Sequence, residues 1–163
     1  MKEAHILNLP TSATMMYGHV ETIGERIDHL IKLREIQDIK PKDHYGFITF
    51  IPWPFQDEGT VLLKKHGVKS NYTGSGYLRM ISISRILLDN IPNIQSSWIT
   101  QGPDIAQLAL FFGANDLGSI MIEENVVYEA GARYRISLEE IVHLITEAGF
   151  IPHERNFWYH LVD

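Results

Sequence analysis

The sequence predicts an α/β fold, a partial TIM-like (βα) barrel built from four parallel strand–helix units. Four short apolar runs of the kind found in buried strands alternate with segments of helical periodicity. None of these runs is joined to the next by a hairpin turn, so we expect parallel pairing through right-handed crossovers. A complete barrel takes about 250 residues. The 163 residues are therefore expected to form a single domain, residues 1–163, that corresponds to a half-barrel.

Composition and charge argue against several classes of protein. The formal net charge of -6 disfavours a broad surface for nucleic acid or for an anionic membrane. No apolar run approaches the roughly 18 residues of a membrane span, and the first ten residues lack the apolar core of a signal peptide. We therefore expect a cytoplasmic protein. The chain has no cysteine, which excludes disulfides, thiolate nucleophiles and cysteine-held metal within it.

Capping residues define the first part of the chain. Residues 1–8 are typical of the last turn of a helix, with Asn8 in the left-handed conformation that ends it. Thr22 and Glu25 form a capping box that begins the first long helix. The predicted strands are 11–17, 46–51, 93–99 and 117–122, and the predicted helices are 23–38, 77–88, 103–112 and 138–148, with a short helical turn at 61–65.

Prolines and glycines mark most of the remaining boundaries. Pro52 and Pro54 are expected to end the second strand, because proline has no backbone N–H for a sheet. The glycines and lysines of 57–76 predict a loop. Pro103 is typical of the first position of a helix, and Gly113 of its end.

The carboxyl-terminal part begins with a second capping box, formed by Ser137 and Glu140, and its helix is expected to end at Gly149. The aromatic-rich tail that follows is expected to pack back over the fold. The helix predicted at 103–112 is expected to bury a stripe of four apolar residues, namely Ile105, Leu108, Ala109 and Phe112.

Polar and aromatic side chains follow each predicted strand, where folds of this class bind ligands. Aromatic faces there could hold a flat ring, while amides and carboxylates could bind hydroxyls and ring nitrogens. Glu123 and Glu124 follow an apolar strand directly, and burying them is costly unless they are paired or face a cavity. The candidates are Tyr17, His19, Glu21, Trp53, Phe55, Gln56, Gln95, Ser97, Trp98, Gln101, Ser119, Glu123 and Glu124.

Structural roles are open for several of these residues. Glu21 could neutralise the dipole of the helix that follows it. The Glu123–Glu124 pair could bind Arg133 and Arg135 across a loop. Large aromatic residues more often belong to a core than to a ligand site. A further hypothesis treats His19, Glu21 and Glu123 as acid–base groups or metal ligands, although their spacing is not diagnostic.

Five segments, taken together and in order, resemble the carboxyl-terminal half of the cyclic dehypoxanthine futalosine synthase family. They are TSATMMYGHVET, GFITFIPWPFQ, YLRMISISRILLDNI, NIQSSWITQGP and FGANDLGSIMIEENVV. Members of this family are radical S-adenosylmethionine enzymes, oxidoreductases of the futalosine pathway of menaquinone biosynthesis. Sister enzymes that make aminofutalosine or the deazaflavin chromophore share the architecture, and the segment around Trp53 favours the cyclase.

The resemblance implies S-adenosylmethionine and a 4Fe–4S cluster as cofactors of the complete enzyme. The family's three-cysteine motif lies in its amino-terminal half, and this chain lacks it. We therefore expect that the chain alone binds no cofactor and is inactive. Its expected partner is a cysteine-bearing amino-terminal half-barrel, or a second copy in a homodimer.

The resemblance also assigns residues by strand order. Those expected near the adenosyl group are Tyr17, His19, Glu21, Ile51 and Pro52. Those expected to face the futalosine-type substrate are Trp53, Gln56, Gln95, Trp98, Gln101, Glu123 and Glu124. Two other interpretations remain open: a non-catalytic ligand-binding or scaffold subunit, and an acid–base or metal enzyme that uses His19, Glu21 and Glu123.

Overall fold

The computed structural model describes residues 1–120 and 134–162, which form a mixed α/β fold. Its strands are β1 Thr11–Tyr17, β2 Phe47–Pro54 and β3 Asn93–Ile94. Its helices are α1 Lys2–Ile6, α2 Ile23–Asp38, α3 Val61–His66, α4 Gly74–Leu87, α5 Trp98–Gln101, α6 Pro103–Phe111 and α7 Leu138–Glu147. No helix within the described ranges is both long and apolar enough to cross a membrane.

The three strands form a parallel sheet in the order β1-β2-β3. β1 pairs with β2 along its whole length, and Tyr17 lies opposite Pro54. β3 pairs with the middle of β2, where Ile94 lies opposite Phe50. Gln95, the residue after β3, forms an isolated parallel bridge with Asp116. The expected parallel pairing is therefore present in the described part of the chain.

One face of the sheet carries the main hydrophobic core. Every second residue of β1 is buried, from Ala13 to Tyr17, as period-two alternation requires. Phe50 and Ile94 continue this face on the other two strands, and both are fully buried. Side chains of α2 and α4 close the core, among them Leu30, Tyr77, Met80 and Ile81.

A second hydrophobic cluster lies between α5, α6 and α7. It contains Trp98, Ala106, Leu117, Ile136 and Ile141, all buried. The α6 helix begins at Pro103 as expected. Its buried residues are Ala106 and Ala109, so the prediction that Leu108 and Phe112 face the core is wrong; both are more than 40% exposed. Two alanines let α6 approach its neighbours closely, and this rotates the larger side chains outwards.

Most predicted helix ends are confirmed. Both capping boxes are present, with Thr22 bonded to Glu25 and Ser137 bonded to Glu140. Asn8 has a φ of 55° after α1, which is the left-handed conformation expected for it. The α4 helix begins at Gly74, three residues earlier than predicted, because the Thr73 hydroxyl accepts a hydrogen bond from the Gly76 N–H at 3.1 Å.

The prediction that two prolines end β2 at residue 51 is wrong, because the strand continues to Pro54. The Phe55 N–H donates to the Tyr17 carbonyl at 2.6 Å, so odd-numbered residues here direct their N–H groups towards β1. Successive residues alternate, and the nitrogens of Pro52 and Pro54 therefore lie on the other side. There the β3 pairing reaches only Thr49 and Phe50, so no sheet hydrogen bond is lost.

The four-unit half-barrel is not reproduced in the described residues. The third strand is two residues long, because the Ser97 N–H donates to the Tyr77 hydroxyl at 2.7 Å and the chain then enters α5. The predicted fourth strand is wrong for residues 117–120, which form no strand. Gly118 has a φ of 78°, and its N–H donates to Asp116 Oδ1 at 2.9 Å in a local turn. Met121 and Ile122 lie outside the described residues.

Candidate functional site

The carboxyl ends of the strands meet at one edge of the sheet, as parallel pairing requires. Tyr17 and Phe55 are neighbours there, since the Phe55 N–H donates to the Tyr17 carbonyl at 2.6 Å. Gln95 lies further back along the sheet, where its N–H donates to the Phe50 carbonyl at 2.9 Å. The first two predicted clusters of candidate residues thus begin side by side, and the third begins nearer the middle of β2. Of the fourth predicted cluster, Ser119 is described and Glu123 and Glu124 are not. Asp116, which was not among the predicted residues, forms a parallel bridge with Gln95.

The face of the sheet opposite the main core presents several candidates to open space. Met16 and Trp53 are opposite each other in the β1–β2 register. The two residues are 49% and 36% exposed, although parallel sheets are usually covered on both faces. Ile51 lies on the same face and is half-buried. We call the side of the sheet that carries Met16, Ile51 and Trp53 the open face.

Gln95 also belongs to the open face. Its chain neighbour Ile94 is fully buried in the main core, and side chains alternate along the strand. Its side-chain amide lies against Gly118, where an added Cβ would stand 2.6 Å from Nε2. Gln56 is half-buried just beyond β2, and its amide donates to the Pro54 carbonyl at 3.1 Å.

The turn after β1 is held together by Glu21. One carboxylate oxygen accepts hydrogen bonds from the Gly18 N–H at 2.5 Å and from Arg26 Nε at 2.7 Å. The other accepts from the His19 N–H at 3.0 Å. Partial burial acts to raise the pKa of Glu21, but hydrogen bonds from the Gly18, Glu21 and His19 backbone, with the Arg26 charge, hold that pKa below its usual value. This carboxylate is therefore ionised and committed to ordering the turn.

His19 packs against the same turn. Its Nδ1 accepts a hydrogen bond from the Val20 N–H at 2.7 Å and lies 3.2 Å from a carboxylate oxygen of Glu21. Its ring meets Phe55 edge to face, with the ring centres 5.7 Å apart. Because Nδ1 is an acceptor here, its contact with the carboxylate is not a charged hydrogen bond. Only Nε2 of the imidazole remains for an outside partner.

Tyr17 and Pro52 lie on the helix side of the sheet and not on the open face. Both are almost completely buried. The Tyr17 hydroxyl has no hydrogen-bond partner among the described residues, and burial raises its pKa far above the usual value. The Arg26 guanidinium lies over the Tyr17 ring, 4.9 Å from its centre. Direct contact of these two residues with a ligand would require the main core to open.

Trp98 and Gln101 are also interior residues. Trp98 is 4% exposed within the second cluster, and Gln101 is 8% exposed. The Gln101 amide has one long hydrogen bond, 3.5 Å to Thr100 Oγ1. Both were predicted to face a ligand at a strand end. Both lie after β3, but their side chains are buried.

The remaining candidates are only partly described. Ser119 is exposed, whereas Glu123 and Glu124 lie outside the described residues, as does Arg133. The proposed trio of His19, Glu21 and Glu123 is therefore represented only by its first two members. In the ranges 1–120 and 134–162, no group of three or more His, Cys, Asp or Glu side chains is arranged to hold a metal ion.

The sequence analysis missed a polar cluster that forms around Asp116. The Asp116 carboxylate accepts hydrogen bonds at 2.7 Å from both Arg155 and the Tyr159 hydroxyl. The Arg155 guanidinium stacks on the Tyr159 ring, 3.9 Å from its centre, and Tyr159 also lies beside Thr49 of β2. The tail therefore packs back over the sheet, as expected. An Asp-x-Gly turn signal was present in the sequence, but its partners in the tail were not identifiable from it.

The comparisons with known proteins agree on one group of enzymes. Residues 44–163 match the family described as the CofH/MqnC C-terminal region. The chain is 45% identical to the cyclic dehypoxanthine futalosine synthase of Streptomyces coelicolor over 163 residues, which cover 99% of this chain and 39% of that protein.

Two further relatives carry different names. The aminodeoxyfutalosine synthase of Thermus thermophilus is 41% identical, with 97% of this chain and 42% of that protein covered. The 5-amino-6-(D-ribitylamino)uracil–L-tyrosine 4-hydroxyphenyl transferase of Methanocaldococcus jannaschii is 39% identical, with 100% of this chain and 45% of that protein covered. The chain thus spans less than half the length of these curated relatives.

Proposed function

The chain belongs to the CofH/MqnC C-terminal region family, and on this premise we propose that it is the substrate-binding half of a cyclic dehypoxanthine futalosine synthase. The complete enzyme is a cytoplasmic radical S-adenosylmethionine enzyme of menaquinone biosynthesis. The observation that carries the proposal is the open face, where Met16 and Trp53 lie exposed side by side at the carboxyl ends of parallel strands. Such an edge is where ligands bind in this fold class.

The exposed pair suits an aromatic substrate. Trp53 offers a large flat face, and the Met16 thioether beside it adapts to the shape of a ring. Gln95 lies on the same face, and Gln56 lies just beyond β2. The amide of each can donate and accept hydrogen bonds. This combination binds a ring through stacking and orients polar substituents around it, as a dehypoxanthine futalosine-type molecule requires.

The cofactors of the complete enzyme do not all fit this chain. A 4Fe–4S cluster is held by cysteine thiolates, and the chain contains no cysteine. The cluster therefore belongs to another part of the enzyme, and no catalytic step is assigned here. For S-adenosylmethionine, His19, Glu21 and Ile51 are the predicted contacts that remain partly accessible, while Tyr17 and Pro52 are buried.

The outer edge of the sheet supports the proposal of a partner that completes a barrel. β1 is the outermost strand of the described sheet, and none of its seven side chains is charged. Uncharged edge strands pair readily with another strand unless something covers them. We propose that β1 pairs with a cysteine-bearing amino-terminal half-barrel and that the present chain supplies the other half. A second copy of this chain is the alternative occupant.

Turnover of dehypoxanthine futalosine tests the proposal. The reaction is run anaerobically with a reductant and S-adenosylmethionine, first with this chain alone and then with a cysteine-bearing amino-terminal half co-expressed. We expect turnover only in the mixture. Trp53→Ala should raise KM about 5- to 150-fold by removing a stacked ring worth roughly 1–3 kcal/mol.

A matched control separates this effect from a general loss of aromatic surface. Phe111→Ala removes a ring that is 61% exposed on the outer side of α6, and its kinetics should match the unmodified chain. Equal KM values for Trp53→Ala and the unmodified chain would contradict the assigned platform. No turnover in the mixture, with the substrate still bound by the chain, would favour a non-catalytic ligand-binding subunit.

A further inference from the structure

The polar cluster around Asp116 connects the candidate site to the carboxyl-terminal tail. We propose that Asp116 is a positioning residue that holds the Gln95 side-chain amide at the open face, and that Arg155 and Tyr159 hold Asp116 in place. The role of Gln95 as a substrate contact rests on the proposed function. The placement of the Gln95 side chain by Asp116 does not depend on the proposed function.

Asp116 fixes the turn at residues 116–118, which lies next to Gln95. Its backbone carbonyl accepts a hydrogen bond from the Ser96 N–H at 2.8 Å, which fixes its register against the strand end. Its Oδ1 accepts from the Gly118 N–H at 2.9 Å. The turn gives Gly118 a φ of 78°, a conformation that favours glycine.

This turn limits the space that is available to the Gln95 side chain. A Cβ at Gly118 would lie 2.6 Å from Gln95 Nε2 and 3.1 Å from its Cδ, closer than van der Waals contact permits. The amide group therefore lies directly against the glycine. A displacement of the turn changes where this amide points.

The tail fixes the Asp116 carboxylate itself. Oδ2 accepts from both Arg155 and Tyr159, and the Asp116 side chain is only 9% exposed. Tyr159 adopts a φ of 63°, an uncommon conformation for a residue other than glycine. Strain of this kind persists only where surrounding contacts maintain it, and the Arg155 stack and the Asp116 hydrogen bond are such contacts.

The position of the Gln95 amide can be read directly by nuclear magnetic resonance on the full chain. The wild type should show a nuclear Overhauser contact between the Gln95 side-chain amide protons and the α-protons of Gly118. The amide signals are assigned by their absence in Gln95→Met. In Asp116→Ala the contact should be lost, whereas Asp89→Asn, which alters an exposed carboxylate paired with Arg34, should leave it intact.

Two milder variants cover the case in which Asp116→Ala does not fold. Asp116→Asn keeps an acceptor for Gly118 but loses the charge that pairs with Arg155, and Tyr159→Phe removes one hydroxyl. Both should shift the Gln95 amide signals, by less than Asp116→Ala does. Unchanged signals and an unchanged contact in every folded Asp116 or Tyr159 variant would overturn the proposal.

Kinetics separate this inference from the proposed function. In the mixture with the cysteine-bearing half, Gln95→Met and Asp116→Asn should both raise KM, with Tyr159→Phe intermediate. Loss of the contact without any turnover of the wild-type mixture would leave the positioning role standing and remove the proposed function. Turnover with a KM that Gln95→Met raises and Asp116→Asn leaves unchanged would overturn the positioning role alone.

Discussion

The two faces of the sheet differ in how far the chain completes them. On the helix side, Ala13, Met15, Phe50 and Ile94 are almost completely buried beneath α2 and α4. On the open face, Met16 and Trp53 remain exposed although they alternate with those core residues. One face is therefore a finished core. The other face keeps its large apolar residues exposed. We therefore expect the helix side to stabilise the chain and the open face to bind a ligand.

The tail shows that the open face is not uniform. Tyr159 lies beside Thr49 near the beginning of β2, and Trp158 packs on Tyr45 just before that strand, with ring centres 5.6 Å apart. Coverage by the tail is therefore found towards the amino ends of the strands. Met16 and Trp53, near the carboxyl ends, are left free for a ligand or partner.

The largest contrast should appear between Phe50 and Trp53. Phe50→Ala removes a fully buried ring from the helix side and should lower the free energy of unfolding by about 3–5 kcal/mol. Trp53→Ala, on the open face, should cost under about 1 kcal/mol because its ring is already partly in water. Urea denaturation followed by circular dichroism measures both values. Equal losses would show that the open face belongs to the core.

A smaller loss is expected from the polar link between α2 and β2. The Gln37 amide oxygen accepts from the Phe47 N–H at 2.7 Å, and its nitrogen donates to the Phe47 carbonyl at 3.0 Å and to the Asn90 carbonyl at 3.2 Å. Gln37→Ala leaves these buried groups unpaired and should cost about 2–3 kcal/mol.

Gln107→Ala is the matched control for Gln37, because it removes one partly buried hydrogen bond to Leu144. Its unfolding free energy should fall by about 1 kcal/mol or less. The same urea titrations serve for both variants. A Gln37 variant as stable as the Gln107 variant would mean that water replaces the lost partner.

The smallest effect concerns pH and the beginning of the chain. His5 is buried against Phe47, and its Nε2 lies 2.9 Å from Thr11 Oγ1. Burial, with the charges of the amino terminus and Lys40, lowers the pKa of His5 below its usual 6.5. The folded state therefore binds this proton more weakly than the unfolded state does. The contribution of neutral His5 is fully present above about pH 6.5 and is lost progressively at lower pH.

Comparison with His5→Gln isolates this titration. The stability difference between the two proteins should be constant above about pH 7 and should shrink or reverse towards pH 5. His143→Gln, at a site that is 67% exposed, is the control for the loss of an imidazole at the surface. A His5 difference that grows on acidification would contradict the direction of the shift.

Local signals predicted much of the fold. The two capping boxes, the left-handed residue at Asn8 and the bounds of β1 depend on neighbours within a few residues, and all were predicted correctly. The end of β2 depended instead on which side of the sheet each proline nitrogen faces. A single sequence does not contain that information before the pairing is known.

The candidate site was predictable as a location but not as a set of exposed residues. Trp53 and Trp98 both stand close to strand ends, yet one is on the open face and the other is 4% exposed in the second cluster. The difference arises because the Ser97 N–H donates to the Tyr77 hydroxyl and not to a neighbouring strand, and α5 begins at the next residue. Asp116 was missed because its partners Arg155 and Tyr159 are 39 and 43 residues away in the chain.

On the proposed function, a cysteine-bearing half-barrel pairs with the outer edge of β1 in the described sheet and encloses the open face. Sedimentation velocity of this chain, of that half and of their mixture tests it most directly at micromolar concentration. We expect a complex with one copy of each half. In that complex, hydrogen exchange at the β1 amides should be slower than in this chain alone. Two halves that sediment separately in the mixture, with unchanged exchange along β1, would contradict it.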